Sequence, residues 1–239
     1  MRLAHAMILA AGRGERMRPL SDAMPKPLLE VGGKPLVVWQ IDALARAGFR
    51  DIVINVAQGA DRFSDMLGDG ASLGVRIAWS REPEPLETAG GVATAIDLLA
   101  PGPALIVSGD IHTSFDYASL LGRIKAMRDG SDPRRVHLVM VRNPPYHPAG
   151  DFVLDGDRIV DHADARLTFG NIGIYDTALF RELPRGVPLK MLPLYRAWIA
   201  RGIVSGERYD GEWANVGTPA DLAALDAALN AKKAQESMP

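Results

Sequence analysis

Five short apolar runs, each closed by polar or glycine-bearing residues, constrain this chain more than any other feature. They are AMILAA from Ala6, DIVINVA from Asp51, VRIAWS from Val75, ALIVSGD from Ala104 and VHLVMV ending at Val141. Apolar runs this short and this continuous read as strands covered on both faces. Between several of them the apolar residues fall at helical spacing. LVVWQIDALARAG, from Leu36, stops at Gly48 as a C-terminal cap, and GGVATAIDLLA and YASLLGRIKAMRDG share the pattern. Strand and helix in alternation predict an α/β fold of Rossmann-like type, a mixed but mainly parallel sheet flanked by helices.

The later third departs from that alternation. DFVLDGDRIVD reads as two strands around an Asp155-Gly156 hairpin turn, and TFGNIGIYD as a further strand, so a small β-rich insertion is expected. From Thr218 a helix is expected to start on a hydroxyl cap with Pro219 at its first position, and to run through ADLAALDAALNAKKA. With 239 residues, 47% of them hydrophobic, the chain can bury one core as a single domain over 1–239. A formal net charge of −2 gives no overall field toward nucleic acid or anionic lipid, so any anion must be held by local design. The absence of cysteine excludes disulfides, thiol nucleophiles and Cys-based zinc sites, and fits a reducing compartment. The apolar core of MRLAHAMILAAGRG is brief and interrupted by His5, unlike a secretory signal, and no run approaches the roughly 18 residues of a membrane span. A soluble cytoplasmic protein, with neither nucleic acid nor membrane as partner, is the expectation.

Directly after the first run comes LAAGRGERMRPLSDAMPKPL, from Leu9. Open parallel sheets bind ligands at the carboxyl ends of their strands, where this segment falls. Gly12 and Gly14 allow backbone N–H groups to approach an anion, while Arg16 and Lys26 supply charge-assisted bonds to phosphate oxygens. It is neither a dinucleotide fingerprint, since Met17 stands where a third glycine is needed, nor a P-loop, since Gly-Lys-Ser/Thr is missing.

The composite Gly12-x-Gly14-x-Arg16-Met17-x-Pro19-Leu20, with Pro25-Lys26-Pro27-Leu28 after it, resembles the sugar nucleotidyltransferases, which join a nucleoside triphosphate to a sugar 1-phosphate. PKPLLEVGGKPL, PLETAGG, SGD at 108–110, TFGNIGIY and EWANVGTP extend the resemblance over most of the chain. Within the family, PLETAGG, GDIHTSFDY and NPPYHPAGDF look most like the branch that uridylylates N-acetylmuramate 1-phosphate in cell-wall recycling. Siblings that pair GTP with mannose 1-phosphate, or dTTP or UTP with glucose 1-phosphate, share the phosphate motifs, and a non-catalytic nucleotide-sugar-binding regulator stands as an alternative of another class.

The resemblance implies a fold of the GT-A-like nucleotide-diphospho-sugar transferase type, with a nucleotide-binding half over about 1–112 and a sugar-binding half over about 113–232. It makes UTP the favoured triphosphate and Mg²⁺ the cofactor. By the same resemblance, Arg16 faces the β- and γ-phosphates, Lys26 the α-phosphate, and Asp110 is the metal ligand. Leu9, Ala10, Ala11, Gly12, Gly14, Glu82, Thr88 and Gly90 are implied to bind the nucleotide, Gly90 and Gly91 being read as glycines that permit close approach. Asp151, Asn171 and Lys190 are implied to bind the sugar phosphate. The family places a second metal-binding aspartate in Trp-x-Asp-Val-Gly-Thr, and this chain has Asn215 there; Asn215 still offers a carbonyl oxygen but no charge. Many relatives have glycine where Glu87 stands, which makes Glu87 a marker of the muramate-type branch. The chain lacks the appended repeat domain of some relatives, so a monomer or weak homodimer is expected.

Other residues resolve less sharply. His112, two after Asp110, is placed to approach the site, whereas His137 reads as a strand residue of the core or edge. Trp39 and Trp198 fit helix faces, and Trp79 fits either strand core or a pocket wall. A lactyl carboxylate on muramate calls for a cation, for which Arg76, Arg142 and Arg166 are equal candidates.

Overall fold

The computed structural model describes residues 5–162 and 164–236. Along the first half lie β1 (His5–Leu9), α1 (Leu20–Ala23), a hairpin of β2 (Glu30–Val31) and β3 (Lys34–Pro35), α2 (Leu36–Arg46), β4 (Asp51–Val56), α3 (Ala60–Leu67), β5 (Arg76–Arg81), α4 (Glu87–Thr94) and β6 (Pro103–Ser108). The second half holds β7 (Ile111–Thr113), α5 (Leu121–Asp129), β8 (Val136–Val141), β9 (Val153–Asp155), β10 (Arg158–Val160), β11 (Thr168–Asp176), α6 (Leu192–Ala200), β12 (Val204–Tyr209), β13 (Trp213–Asn215) and α7 (Pro219–Glu236).

Nine strands form one sheet in the order β5-β4-β1-β6-β11-β8-β12-β10-β9. β5, β4, β1 and β6 are mutually parallel, β11 runs antiparallel between β6 and β8, and β12 is parallel to β8. The β9–β10 hairpin adds to the edge of this sheet through β12, so the expected β-rich insertion is an extension of the main sheet.

Strand alternation divides the core into two layers. Ala6 and Ile8 point to one face with Ile54, Leu105, Val107 and α2, while Met7 points to the other with Val53, Ile106 and α4. α2 buries Val37, Ile41 and Leu44 along one stripe against the sheet, each such side chain contributing about 2 kcal/mol of transfer free energy, while Leu36 packs in a smaller cluster with Met17, Val31, Val216 and Leu229. Past its end Gly48 takes φ +94°, a conformation a side chain would oppose. α7 begins on a reciprocal cap: Asp221 N–H donates to Thr218 Oγ1 at 3.2 Å and Thr218 N–H donates to Asp221 Oδ2 at 2.8 Å. Midway along α7, Asp226 reaches the β2–β3 turn, where Gly32 N–H donates to its Oδ1 at 2.7 Å.

Candidate active site

β1 lies between β4 on one side and β6 on the other, the topological switch point at which open α/β sheets leave a crevice beyond their carboxyl ends. The loop after β1 and the turn Gly109-Asp110 after β6 meet there, with Gly109 N–H donating to Leu9 O at 2.8 Å. A cavity of about 810 Å³ opens at this edge. Leu9, Ala10, Ala11, Gly12, Gly14, Arg16, Lys26, Glu82, Thr88, Asp110 and Asn171 line it, whereas Gly90, Asp151, Lys190 and Asn215 do not.

The loop presents donors. Among the described residues, the N–H groups of Gly12, Arg13 and Gly14 have no hydrogen-bond partner in the protein. Gly14 takes φ +62° and starts the single turn Glu15–Met17. Gly12 has open space where a Cβ would stand, so its glycine keeps the cavity wall low.

Lys26 is carried on a one-turn helix between Pro25 and Leu29, with Pro27 and Leu28 buried beside it. Lys26 is 9% exposed, and its ammonium lies 2.6 Å from Asp110 Oδ2. Arg16, exposed, lies over Gly217: a Cβ on Gly217 would stand 3.3 Å from one guanidinium nitrogen and 3.4 Å from Asp221 Oδ2. Arg16, Lys26 and Asp110 therefore share one cleft.

Asn215 pairs with Ile111 in the β7–β13 ribbon, and Val216 N–H donates to Asp110 O at 2.9 Å. Its side-chain oxygen is buried with no hydrogen-bond partner among the described residues. Orphaned oxygens of this kind call for a partner. One carboxylate and one amide oxygen on neighbouring segments, beside a loop of unpartnered N–H donors, form a hard oxygen set of the kind that suits Mg²⁺. Tyr146, from the loop after β8, faces the same corner: burial raises its pKa and an Asn215 hydrogen bond lowers it.

At the other end of the loop, Asn55 and Glu82 are buried beneath Ala10. Burial pushes the Glu82 carboxyl above its ordinary value, against hydrogen bonds from Asn55 and Leu86 N–H that lower it. Glu87 and Thr88 begin α4 at the cavity wall, Glu87 with φ +60°. Gly90 is packed instead against the chain at Val187–Leu189, its N–H donating to Leu189 O at 3.2 Å. Its lack of a side chain serves a protein contact.

The deep end is aromatic, lined by Phe169, Tyr175, Met191 and Tyr195. The Tyr175 and Tyr195 hydroxyls are 2.6 Å apart, and burial raises both phenols. Asn171 enters this wall at the irregularity in β11 between Phe169 and Gly173, with φ +57°. Asp151 stands behind it, accepting from Phe169 N–H at 2.8 Å and paired with His147 Nε2 at 3.1 Å. Lys190 is exposed next to Met191. Arg76, Arg142 and Arg166 are paired with Asp51, Asp210 and Asp161, outside the cavity lining. His112 turns from the site toward Trp39, edge-on at 5.1 Å between ring centres, and His137 is buried with Nδ1 2.9 Å from Ser205 Oγ.

Residues 5–146 match the family model described as nucleotidyl transferase. The chain belongs to this family. N-acetylmuramate alpha-1-phosphate uridylyltransferase of Neisseria meningitidis serogroup B is 44% identical over 95% of this chain and 99% of its own length. The protein of the same name from Caulobacter vibrioides is 33% identical over 94% and 96%. In three dimensions, the inositol-1-phosphate CTP transferase of T. maritima superposes with a TM-score of 0.76 at 19% identity, over 97% of this chain and 96% of that one. A Bacillus anthracis protein assigned as a glucose-1-phosphate thymidylyltransferase reaches a TM-score of 0.83 at 19% identity, over 95% of each chain. These two share the GT-A-like fold.

For a nucleotidyl transferase, the residues that sequence reading misses are those whose partners are remote. Asn55 is one polar residue inside DIVINVA, and that interruption is the signal that could reveal it. Tyr175 and Tyr195 read as core aromatics, and only their convergence from β11 and α6 makes a cavity wall. Tyr146 carries no local signal.

Proposed function

We propose that this nucleotidyl transferase couples UTP to N-acetylmuramate 1-phosphate, forming UDP-N-acetylmuramate and pyrophosphate with Mg²⁺ in the cytoplasm. The convergence of Arg16, Lys26 and Asp110 on one cleft beside a loop of unpaired N–H donors carries the reading. The uridylyl and muramate assignment is supported by the Neisseria relative, which aligns over nearly the whole of both chains.

In the proposed step a phosphate oxygen of the sugar 1-phosphate attacks the α-phosphorus. The bond from that phosphorus to the bridging oxygen breaks, and pyrophosphate leaves with the electron pair. Positioning two polyanions against their repulsion is the main burden. The N–H groups of Gly12 to Gly14 and the Arg16 guanidinium hold the leaving diphosphate. Lys26, once drawn from Asp110 toward the α-phosphate, neutralises charge where it develops. Asp110 and Asn215 would hold Mg²⁺, which when bound supplies charge neutralisation and a template for the phosphates. Leu9, Ala10, Ala11, Glu82, Thr88 and Gly90 shape the base end, Gly90 indirectly by seating α4. Asn171 and Asp151, with Lys190 for the sugar phosphate, shape the other.

The segment about 1–112 thus acts as the nucleotide half and about 113–232 as the sugar half. The protein acts in this reading as a monomer or weak homodimer. A panel of UTP, GTP, dTTP and CTP against N-acetylmuramate, mannose and glucose 1-phosphates, read by pyrophosphate release, tests the proposal. Turnover restricted to UTP with the muramate phosphate is expected; turnover only with GTP and mannose 1-phosphate would overturn it.

A further inference from the structure

Beneath the loop after β1 runs a buried polar chain that the phosphate chemistry does not use. Ala10 N–H donates to Asn55 Oδ1 at 2.9 Å, and Asn55 Nδ2 donates to Glu82 Oε1 at 2.7 Å. Leu86 N–H, just before α4, donates to Glu82 Oε2 at 3.0 Å. Asn55 is 3% exposed and Glu82 5%. On the other side of the same peptide unit, Leu9 O accepts from Gly109 N–H at 2.8 Å. Both polar atoms of the Leu9–Ala10 peptide are therefore tied down. The space for the pair comes from α4: a Cβ on Gly91 would stand 2.7 Å from Asn55 Nδ2 and 2.8 Å from Glu82 Oε1.

Each polar atom of the two side chains has a protein partner, and the chain links the ends of β1, β4 and β5 to the start of α4. We infer that Asn55 and Glu82 are positioning residues for the nucleoside triphosphate, fixing the Leu9–Ala10 peptide and thereby the loop donors, and that the Glu82 carboxylate is not itself the base-reading group. The inference rests on the proposed reading of the loop as the triphosphate site.

The chemistry of the pair can be exchanged between its members. Asn55→Asp alone sets two carboxylates against each other, and Glu82→Gln alone turns an amide donor toward either Asn55 Nδ2 or Leu86 N–H. In the double variant Asn55→Asp/Glu82→Gln every bond can be remade: the new carboxylate accepts from Ala10 N–H and from the new amide, whose carbonyl accepts from Leu86 N–H. Calorimetry of UTP binding is expected to give a Kd raised about tenfold, or 1.4 kcal/mol, in each single variant, and a return to within about threefold of wild type in the double. The KM for the sugar phosphate at saturating UTP stays unchanged throughout. A double variant as weak as Glu82→Gln would show that the carboxylate reads the base, and single variants that bind like wild type would overturn the inference equally.

If the wild type binds another triphosphate, the same comparison is run with that one. Failure of the substrate reading then registers in the wild type, and failure of the inference in the double variant. Should a single variant not fold, as judged by thermal melting, Gly91→Ala displaces the pair without altering its chemistry. It is expected to raise the Kd severalfold in a folded protein, and unchanged binding would overturn the inference.

Discussion

Lys26 and Asp110, 84 positions apart in sequence, meet at 2.6 Å. The contact joins the one-turn helix after α1 to the turn at the end of β6. It stores a cation where a phosphate is proposed to come and holds the carboxylate in one orientation. Asp110→Asn removes the charge that both Lys26 and a divalent ion would meet. A loss of kcat by about two orders of magnitude or more is expected, measured as pyrophosphate release at saturating Mg²⁺. Near-normal turnover would sink the assignment of Asp110.

Asn215 Oδ1 is buried and without a hydrogen-bond partner among the described residues. Replacing it by a carboxylate adds a full charge to the oxygen set beside Asp110. Asn215→Asp is expected to tighten Mg²⁺ binding about tenfold, read by calorimetry with Mg²⁺ in the presence of a non-hydrolysable triphosphate. Unchanged affinity would place the ion away from this side chain.

Gly217 leaves the Arg16 guanidinium room to lie against the backbone at the start of α7. A methyl group at 3.3 Å from that guanidinium requires only a small displacement, whereas a branched side chain fills the seat. Gly217→Ala should therefore lower kcat/KM for the triphosphate about threefold and Gly217→Val about thirtyfold, up to about 2 kcal/mol of transition-state binding. Steady-state kinetics alongside thermal melts check this, and equal activity of the two variants would show that Arg16 needs no such seat.

The alternation of apolar runs and helical stripes makes the parallel half of the sheet legible, because each such element is defined by its own residues. β12 is not legible in this way. VSGERY carries a buried serine and glycine whose place depends on His137 and on parallel pairing with β8. β7 and β13 are three residues each and exist through each other. The same division holds in the site. The loop donors, Arg16 and Lys26 announce themselves locally through glycine and charge, but Gly90 reads as an opening for the base while its actual neighbour is the remote Val187–Leu189 chain. Asn55 gains meaning only from Ala10 and Glu82.

His112 is buried against Trp39, and that burial is the main cause of a pKa below the ordinary imidazole value; Glu212 opposes it and Lys232 and Lys34 reinforce it. The unfolded chain then binds a proton at higher pH than the native one. The native state keeps the full contribution of neutral His112 above about pH 6.5, and loses it as pH falls from there toward the depressed native value. His112→Phe is expected to flatten the loss of melting temperature between about pH 7 and 5 relative to wild type. Parallel melting curves would contradict it.

Two non-glycine residues of the cavity wall hold left-handed backbone, Glu87 at φ +60° and Asn171 at φ +57°. That conformation costs an ordinary L residue about 1–2 kcal/mol, less for asparagine, whose side chain tolerates it. Glycine at either position relieves the backbone and deletes the side chain, so stability and function are pushed in different directions. Glu87→Gly is expected to raise stability by about 1 kcal/mol, with a higher melting temperature. Asn171→Gly should change stability little, while raising the KM for the sugar phosphate about tenfold through loss of a directional amide. Denaturant titration and KM for each substrate separate the two effects. A sugar-phosphate KM unmoved by Asn171→Gly would mean that the bend in β11 serves the fold alone.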